Sequence, residues 1–326
     1  MIIKPTTSNY CMIVITGGAG FIGSHLVDKL LEMKKEVLVI DNLSSGNLEN
    51  LRHHENDENL RILEIDIRDK KIKEAIEGAE AIFHLAADPD VRRSVENPKK
   101  SFEINMVGGF NILEAAREAG VKDFIFTSSG GTVYGDVSKP VSEEYRLRPI
   151  SPYGASKAAF EMYLSAYAHS YGMNCLSLRL GNIIGPRSRH GVIWDFFWKL
   201  KKNPKKLVIL GNGEQEKSYL HVSDSIEATL LAWKKTRGFE VYNVAHEKTL
   251  KVKEIAKIVC EELGLNPEFE FTGGERGWRG DVKIVKLDIS RLKRLGWRAK
   301  FTPEEAVRDY TRWLRKVYGQ NLKDCL

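Results

Sequence analysis

A tyrosine and a lysine four residues apart are the first side chains in this sequence that could perform chemistry together. They lie in the segment Tyr153-Gly-Ala-Ser-Lys157. If a helix begins near Pro152, positions four apart share one helix face, so both side chains project together. A neighbouring cation stabilises a phenolate and lowers the pKa of the tyrosine, which predicts that Tyr153 acts as a base near neutral pH. Such a pair alone is more often a solvated helix face, so the interpretation depends on its companions.

A glycine cluster directly follows the first apolar strand. Gly17, Gly20 and Gly23 lie in Thr16-Gly-Gly-Ala-Gly-Phe-Ile-Gly23, after a strand at 12–16. The first glycine permits a tight turn, the second lets the backbone approach a pyrophosphate, and the third lets helix and strand pack closely. The helix that follows presents free N–H groups to phosphates. The segment predicts a dinucleotide-binding turn.

An acidic residue ends the second predicted strand, about 20 residues further along the chain. This residue is Asp41, after the apolar stretch 36–40. A carboxylate at this place binds ribose hydroxyls and repels a 2′-phosphate, which favours NAD over NADP. The alternative is a helix cap in Asp41-Asn-Leu-Ser44, and the preceding glycine turn favours the ribose-binding interpretation.

Apolar strands and helical spacings alternate through the first half of the chain, which predicts a doubly wound parallel sheet of the Rossmann type. Beyond residue 181 the rhythm changes, and this part is interpreted as a smaller α+β cap. We predict an NAD-binding domain at 12–180, with a segment of about 215–245 returning to it, and a mainly substrate-binding region at 181–326. The predicted strands are 12–16, 36–40, 60–65, 81–85, 123–127 and 175–180; the predicted helices are 24–33, 72–76, 102–119, 155–171, 194–201, 223–234, 252–263 and 302–317; the predicted binding loops are 181–191, 211–217 and 273–280.

Bulk properties indicate a soluble cytoplasmic enzyme. The 326 residues carry a net charge of +6 without a basic block, which argues against nucleic acid as a partner. Four scattered cysteines lack metal-ligand spacing and predict reduced thiols and no metal site. No apolar run reaches the roughly 20 residues of a membrane helix, and residues 1–11 lack the apolar centre of a signal peptide. Their role stays open.

Together these motifs resemble the extended short-chain dehydrogenase/reductase family and, within it, the UDP-glucose 4-epimerases and related nucleotide-sugar epimerases. The resemblance covers essentially the whole chain after Met12. The segments that carry it are 16–26, 41–43, 66–67, 84–87, Asn105 with Gly108, 132–135, 153–157, 179–187, 219–224 and 273–281.

The resemblance implies a complete set of NAD contacts. Asp66 and Ile67 are expected to flank the adenine, and Lys157 to hold the nicotinamide ribose. The implied cofactor-binding residues are Gly17, Gly20, Phe21, Ile22, Gly23, Asp41, Asn42, Asp66, Ile67, Leu85, Ala86, Ala87, Asn105, Tyr153 and Lys157.

The resemblance also implies contacts to the substrate diphosphate. Asn182 is expected beside it, and Arg276 to contact a phosphate from a late loop. Lys217 stands where the family usually has arginine, which keeps the charge but loses the bidentate fork. Arg279 is an alternative to Arg276.

A hydroxyl beside the sugar O4 is the last implied catalytic group, with Tyr153 as acid and base. The stretch 127–132 is one residue longer than the commonest epimerase version. Counting from the strand selects Ser129, whereas counting back from the following tyrosine lands on a glycine and leaves Ser128 and Thr132 as alternatives.

Within the family, the residues before Val133 indicate the reaction. Dehydratases carry an Asp-Glu pair there and decarboxylases a Glu, whereas this chain has Gly130-Gly-Thr132. We therefore predict NAD-dependent 4-epimerisation of a nucleotide sugar, UDP-glucose or UDP-galactose before other UDP-sugars. The alternatives are a UDP-N-acetylhexosamine or UDP-uronate epimerase, a dehydratase or decarboxylase, and a non-catalytic NAD-binding regulator. The resemblance also implies a homodimer through helices 102–119 and 155–171, although an apolar helix face can equally be core.

Overall fold

The computed structural model describes residues 12–275, 277 and 282–319. The strands are β1 Met12–Thr16, β2 Glu36–Asp41, β3 Leu60–Glu64, β4 Ala79–His84, β5 Asp123–Ser129, β6 Asn174–Leu180, β7 Asn182–Ile184, β8 Lys206–Ile209, β9 Glu216–His221, β10 Phe239–Val244, β11 Thr249–Lys251, β12 Glu268–Phe271 and β13 Ile284–Val285. The α-helices are α1 Phe21–Glu32, α2 Ile72–Ala75, α3 Val91–Glu96, α4 Pro98–Phe102, α5 Gly109–Glu118, α6 Pro152–Tyr171, α7 Val192–Lys202, α8 Val222–Lys235, α9 Val252–Leu263, α10 Ser290–Arg294 and α11 Pro303–Tyr318. A 3₁₀ helix spans Leu48–His54, and a π-helical segment spans Glu103–Gly108.

A seven-stranded parallel sheet forms the centre of the molecule. Its strand order is β10-β6-β5-β4-β1-β2-β3. The predicted Rossmann-type sheet is confirmed, and its six predicted strands end within two residues of the observed bounds. The chain order reverses between β1 and β4, so the crevice at the carboxyl ends of these two strands is where such a sheet binds ligands.

Both faces of the sheet are covered by apolar side chains. Ile13 and Ile15 of β1 pack in the same cluster as residues of α1 and α8. Met12 and Val14, which point to the opposite face, pack with residues of α5 and α6. Burying one such side chain completely contributes about 1.5–3 kcal/mol to stability. The alternating side chains of β1 therefore stabilise the helical layers on both faces of the sheet.

A third apolar cluster belongs to the second half of the chain and is built largely from α7, α9 and α11. Next to it, β9 pairs with β7, β11 and β13. The predicted loop at 181–191 is wrong for Asn182–Ile184, because these residues pair with Tyr219–His221 as β7. Within the described residues, no helix has the length and apolar character needed to cross a membrane.

Candidate active site

The glycine turn between β1 and α1 is closed to side chains at two positions. Gly17 has a φ of +74°, and a Cβ there would lie 2.7 Å from the backbone nitrogen of Ala86. A Cβ on Gly23 would lie 2.2 Å from the carbonyl oxygen of Gly17, so any side chain would separate α1 from β1. A Cβ on Gly20 would meet only that carbonyl oxygen, at 3.1 Å. Gly20 therefore leaves room for a ligand to approach the backbone.

The N-terminus of α1 has the character of an anion site. The helix begins at Phe21 without a side-chain cap, and no acidic residue lies in its first turn. Its unpaired N–H groups and the positive end of its dipole favour a phosphate. Phe21 and Ile22 are partly buried against the core. These features fit a dinucleotide pyrophosphate.

Asp41 is a buried carboxylate at the end of β2. Its Oδ2 accepts a hydrogen bond from the Ala19 N–H at 3.0 Å, and its Oδ1 accepts one from the Leu43 N–H at 2.9 Å. Burial raises the pKa of Asp41, and these two hydrogen bonds oppose that shift. Asp41 therefore joins the glycine turn to the loop that follows β2. Its carboxylate retains further lone pairs that can accept hydrogen bonds from ribose hydroxyls.

Asn42 follows β2, and Asp66 and Ile67 follow the neighbouring strand β3, which brings the three residues together. The Asn42 amide donates to Asp66 Oδ2 at 2.8 Å, and Arg68 donates to both oxygens of the same carboxylate. These hydrogen bonds hold the pKa of Asp66 well below its usual range. Ile67 is buried, and its carbonyl oxygen accepts from the Asn111 amide at 2.7 Å.

The loop after β4, which contains Leu85, Ala86 and Ala87, is fastened to β1. The Leu85 N–H donates to the carbonyl oxygen of Thr16 at 3.0 Å, and the Ala86 N–H donates to the Thr16 hydroxyl at 3.3 Å. That hydroxyl also lies 2.7 Å from His84 Nδ1. Burial lowers the pKa of His84 to about 3, so His84 is a neutral structural residue.

Asn105 fixes the far end of this loop from within the π-helical segment. Its Oδ1 accepts from the Asp88 N–H at 2.8 Å, and its Nδ2 donates to the Asp88 carbonyl oxygen at 3.3 Å. The helix predicted at 102–119 is wrong in this detail, because α-helix starts only at Gly109 and a π-helical turn precedes it. The sequence of this segment contains no pattern that predicts the wider turn of a π-helix.

Tyr153 and Lys157 lie in the first two turns of α6. Ser151 caps the helix by accepting from the Gly154 N–H, and the Tyr153 N–H donates to Ser94 Oγ at 3.2 Å. Lys157 Nζ lies 5.7 Å from the centroid of the Tyr153 ring and donates to the Thr127 carbonyl oxygen at 2.9 Å. The two side chains therefore face the carboxyl end of β5 together.

The electrostatics of this pair differ from the sequence expectation. The expected lowering of the pKa of Tyr153 is wrong for the protein alone, since burial raises it to about 12. A hydrogen bond with Ser129 opposes that rise, and the charge of Asp88 adds to it. Burial also lowers the pKa of Lys157 to about 7. Desolvation is the largest cause of both shifts, and sequence spacing alone does not predict desolvation.

The three candidate hydroxyls have different surroundings. The Ser129 side chain is close enough to the Tyr153 phenol for hydrogen bonding between them to lower the pKa of Tyr153. Ser128 Oγ instead donates to the buried Glu161 carboxylate. Thr132 Oγ1 is buried, with no hydrogen-bond partner among the described residues. The geometry thus favours Ser129 over the other two.

A buried ion pair behind the site was not singled out from the sequence. Arg179 on β6 donates to Glu161 at 2.7 Å from Nη2 and to the Tyr134 hydroxyl at 2.8 Å from Nη1. The Tyr134 hydroxyl in turn donates to Asn243 Oδ1 at 2.7 Å. The only signal in sequence is that Glu161 follows Lys157 by one helical turn.

The predicted substrate residues lie on adjoining strands. Asn182 is the first residue of β7, and its Nδ2 donates to the Ser218 carbonyl oxygen of β9 at 3.2 Å. Lys217 precedes that serine and is half-buried. Arg276 and its alternative Arg279 lie outside the described residues.

Comparison with known proteins establishes the family. The family described as GDP-mannose 4,6 dehydratase matches residues 14–310. A putative UDP-glucose 4-epimerase of Methanocaldococcus jannaschii is 37% identical over 313 residues, covering 93% of this chain and 98% of that protein. The chain therefore belongs to this family of nucleotide-sugar enzymes, within the extended short-chain dehydrogenases/reductases.

Solved structures agree with this membership. A crystal structure of UDP-galactose 4-epimerase is 45% identical, with a TM-score of 0.85 over 94% of this chain and 99% of that chain. UDP-glucose 4-epimerase of Thermotoga maritima, solved with UDP-glucose, is 37% identical, with a TM-score of 0.86 and the same coverage. UDP-glucose 4-epimerase of Thermus thermophilus, solved with NAD, is also 37% identical, with a TM-score of 0.85 over 94% and 99%. A UDP-N-acetylglucosamine 4-epimerase, a UDP-glucuronic acid 4-epimerase and a dTDP-glucose 4,6-dehydratase are similar in fold as well.

Proposed function

We propose that this enzyme is an NAD-dependent 4-epimerase that interconverts UDP-glucose and UDP-galactose. The observation that carries the proposal is the group of Tyr153, Ser129 and Lys157 at the carboxyl end of β5. Tyr153 supplies a phenol that can exchange a proton, Ser129 a hydroxyl beside that phenol, and Lys157 a nearby cation. Similarity to enzymes solved with UDP-glucose and with NAD supports the same substrate class and cofactor.

NAD fits the residues of the nucleotide-binding half. The uncapped start of α1 suits the pyrophosphate, and the Asp41 carboxylate suits an unphosphorylated ribose. Bound NAD would supply the hydride acceptor for oxidation at C4 of the sugar and the hydride donor for reduction on the opposite face. Lys157, directed by its hydrogen bond to the Thr127 carbonyl oxygen, is placed to stabilise the ribose and the phenolate.

The protein contributes proton transfer and positioning. Tyr153 removes the proton of the O4 hydroxyl while Ser129 holds that oxygen by a hydrogen bond. The resulting 4-keto sugar turns about its diphosphate link, and Tyr153 returns the proton after the other face is presented. Asn182 and Lys217 are proposed to hold the diphosphate, which keeps the 4-keto sugar from leaving.

The turn beyond Ser129 disfavours elimination of water. A Cβ on Gly130 would lie 2.4 Å from Leu287 Cδ1 and 3.0 Å from the Arg179 carbonyl oxygen. Gly130 therefore has little room for a side chain, and neither Gly131 nor Thr132 supplies the carboxylate that a dehydratase or a decarboxylase carries in this turn. A purely NAD-binding regulator is disfavoured too, because binding NAD alone does not require the phenol of Tyr153 beside the Lys157 ammonium.

We further propose that the enzyme is a homodimer through the π-helical segment, α4, α5 and α6. Large apolar side chains on these elements are exposed, namely Phe102, Val107, Phe110, Met162, Tyr163 and Tyr171. Large exposed apolar patches mark protein contacts. Light scattering is expected to show a dimer for the wild type and a monomer for Met162→Glu. A monomeric wild type would contradict the proposal.

The reaction is tested by incubating the purified enzyme with UDP-glucose and, separately, with UDP-galactose, with a little NAD. NMR of the sugar is expected to show one equilibrium mixture from both directions. If the enzyme instead converts only UDP-N-acetylhexosamines or UDP-uronates in parallel incubations, the proposed 4-epimerisation would stand and the proposed substrate would be wrong. An accumulating 4-keto-6-deoxy or decarboxylated product would instead identify a lyase.

A further inference from the structure

Two adjacent histidines and an aspartate converge outside the site described above. His53 and His54 end the 3₁₀ helix, and Asp28 lies on α1. The Nε2 atoms of His53 and His54 are 2.9 and 3.0 Å from the same oxygen, Asp28 Oδ1. The two imidazole rings pack against each other at a tilt of 42°, with their centroids 4.1 Å apart.

We propose that Asp28, His53 and His54 form a binding site for a divalent transition-metal ion such as Zn²⁺. Zinc takes imidazole nitrogen and carboxylate oxygen at about 2.0–2.2 Å, which in a tetrahedral site separates ligand atoms by about 3.3 Å. The two observed nitrogen–oxygen separations need to widen by only a few tenths of an ångström to admit the ion, and the three candidate ligand atoms all lie within 4.8 Å of one another. The fourth position is left to water, and the His53 side chain, 47% exposed, opens the site to solvent.

Neighbouring charges are placed to orient these ligands. Neutral histidines that bind metal through Nε2 carry their proton on Nδ1, and His54 Nδ1 lies 4.0 Å from the carboxylate of Asp57. Arg187 Nη2 lies 2.8 Å from Asp28 Oδ2, the oxygen that does not face the histidines. The two carboxylates and one guanidinium leave a net negative surrounding for a cation.

The site would connect three segments around the nucleotide-binding turn. Asp28 and His25 belong to α1, and His25 Nε2 is 3.0 Å from the Pro186 carbonyl oxygen. Arg187 follows that proline in the segment after β7, which begins at Asn182. A bound ion would therefore join α1 to the 3₁₀ helix beside the segment beyond the proposed substrate residue.

The test is a Co²⁺ titration of the full-length protein after treatment with chelator, followed by visible absorption. One equivalent is expected to bind with the strong bands of a site of low coordination number, and Zn²⁺ is expected to displace it. His53→Ala and His54→Ala should each weaken binding at least tenfold, whereas His169→Ala, which removes an exposed histidine of α6, should not change it.

Absence of Co²⁺ binding by the wild type, or unchanged binding in both cluster variants, would overturn the proposal and leave a clamp of hydrogen bonds and ion pairs. Thermal unfolding supplies a second measurement. Zn²⁺ should raise the Tm of wild type and of His169→Ala but not that of the double variant His53→Ala/His54→Ala. Neither measurement uses a sugar substrate, so the outcome is independent of the proposed reaction.

Discussion

Glu161 lies one helical turn beyond Lys157 on α6, and both side chains are buried. Burial lowers the pKa of Lys157 to about 7, and the charge of Glu161 opposes that shift. Because Glu161 also pairs with Arg179 of β6, one carboxylate interacts with both the proposed catalytic lysine and the main sheet. The proposed catalytic group thus depends on a charge that touches no substrate.

Replacing Glu161 by glutamine is expected to destabilise the fold. Arg179, whose side chain is 5% exposed, would lose its ionic partner, and breaking a buried pair costs about 3–5 kcal/mol of the free energy of unfolding. Glu118→Gln is the matched control, since its ion pair with Lys73 is exposed and worth about 1 kcal/mol or less. Urea unfolding measures both, and equal losses would contradict the structural role of Glu161.

Replacing Tyr153 by phenylalanine is expected to lower kcat by about 10²–10⁴-fold, the usual contribution of a general acid–base group. The fold should persist, because the ring is retained and the backbone N–H still reaches Ser94. Tyr318→Phe, which removes the hydroxyl of a partly buried tyrosine at the end of α11, is the control. A Tyr153→Phe enzyme as fast as the control would exclude the proposed mechanism.

Asp88→Asn is expected to make Tyr153 a better base. The charge of Asp88 raises the pKa of Tyr153, so its removal lowers that pKa and increases the phenolate fraction at a given pH. The acid limb of kcat plotted against pH should therefore move to lower pH. Asp195→Asn, on the surface of α7, should leave the profile in place. A shift of the acid limb to higher pH in Asp88→Asn would contradict the proposed effect of the Asp88 charge on the pKa of Tyr153.

Asp41→Asn is expected to relax the preference for NAD over NADP. One carboxylate about 4 Å from a phosphate charge contributes about 1 kcal/mol or more of repulsion, so the ratio of the two Kd values should change at least about fivefold. Asp69→Asn, whose carboxylate accepts from the local Lys71 N–H, is the control. Calorimetric titration measures both cofactors, and an unchanged ratio would remove Asp41 from the ribose site.

Local sequence patterns predicted the parts of the site that depend on local backbone. The glycine turn at Gly17–Gly23 and a helix that begins near Pro152 follow from residue spacing and strand pattern alone. The direction of the pKa shift of Tyr153 did not follow, because it depends on burial by residues distant in the sequence. The π-helical turn around Asn105 and the pairing of β7 with β9 were missed for the same reason, since each needs a partner far along the chain.

The position of β10 at the edge of the main sheet has a consequence for synthesis on the ribosome. β10 pairs with β6 from Phe239↔Cys175 to Val244↔Leu180, after the chain has passed through β7, β8, β9, α7 and α8. A nascent chain that ends at Leu180 holds the glycine turn, Tyr153 and Lys157, but its β6 lacks a neighbour on one side. We therefore expect the nucleotide-binding half to complete its sheet only after residue 244 has emerged, and shorter fragments to expose an edge strand that promotes aggregation.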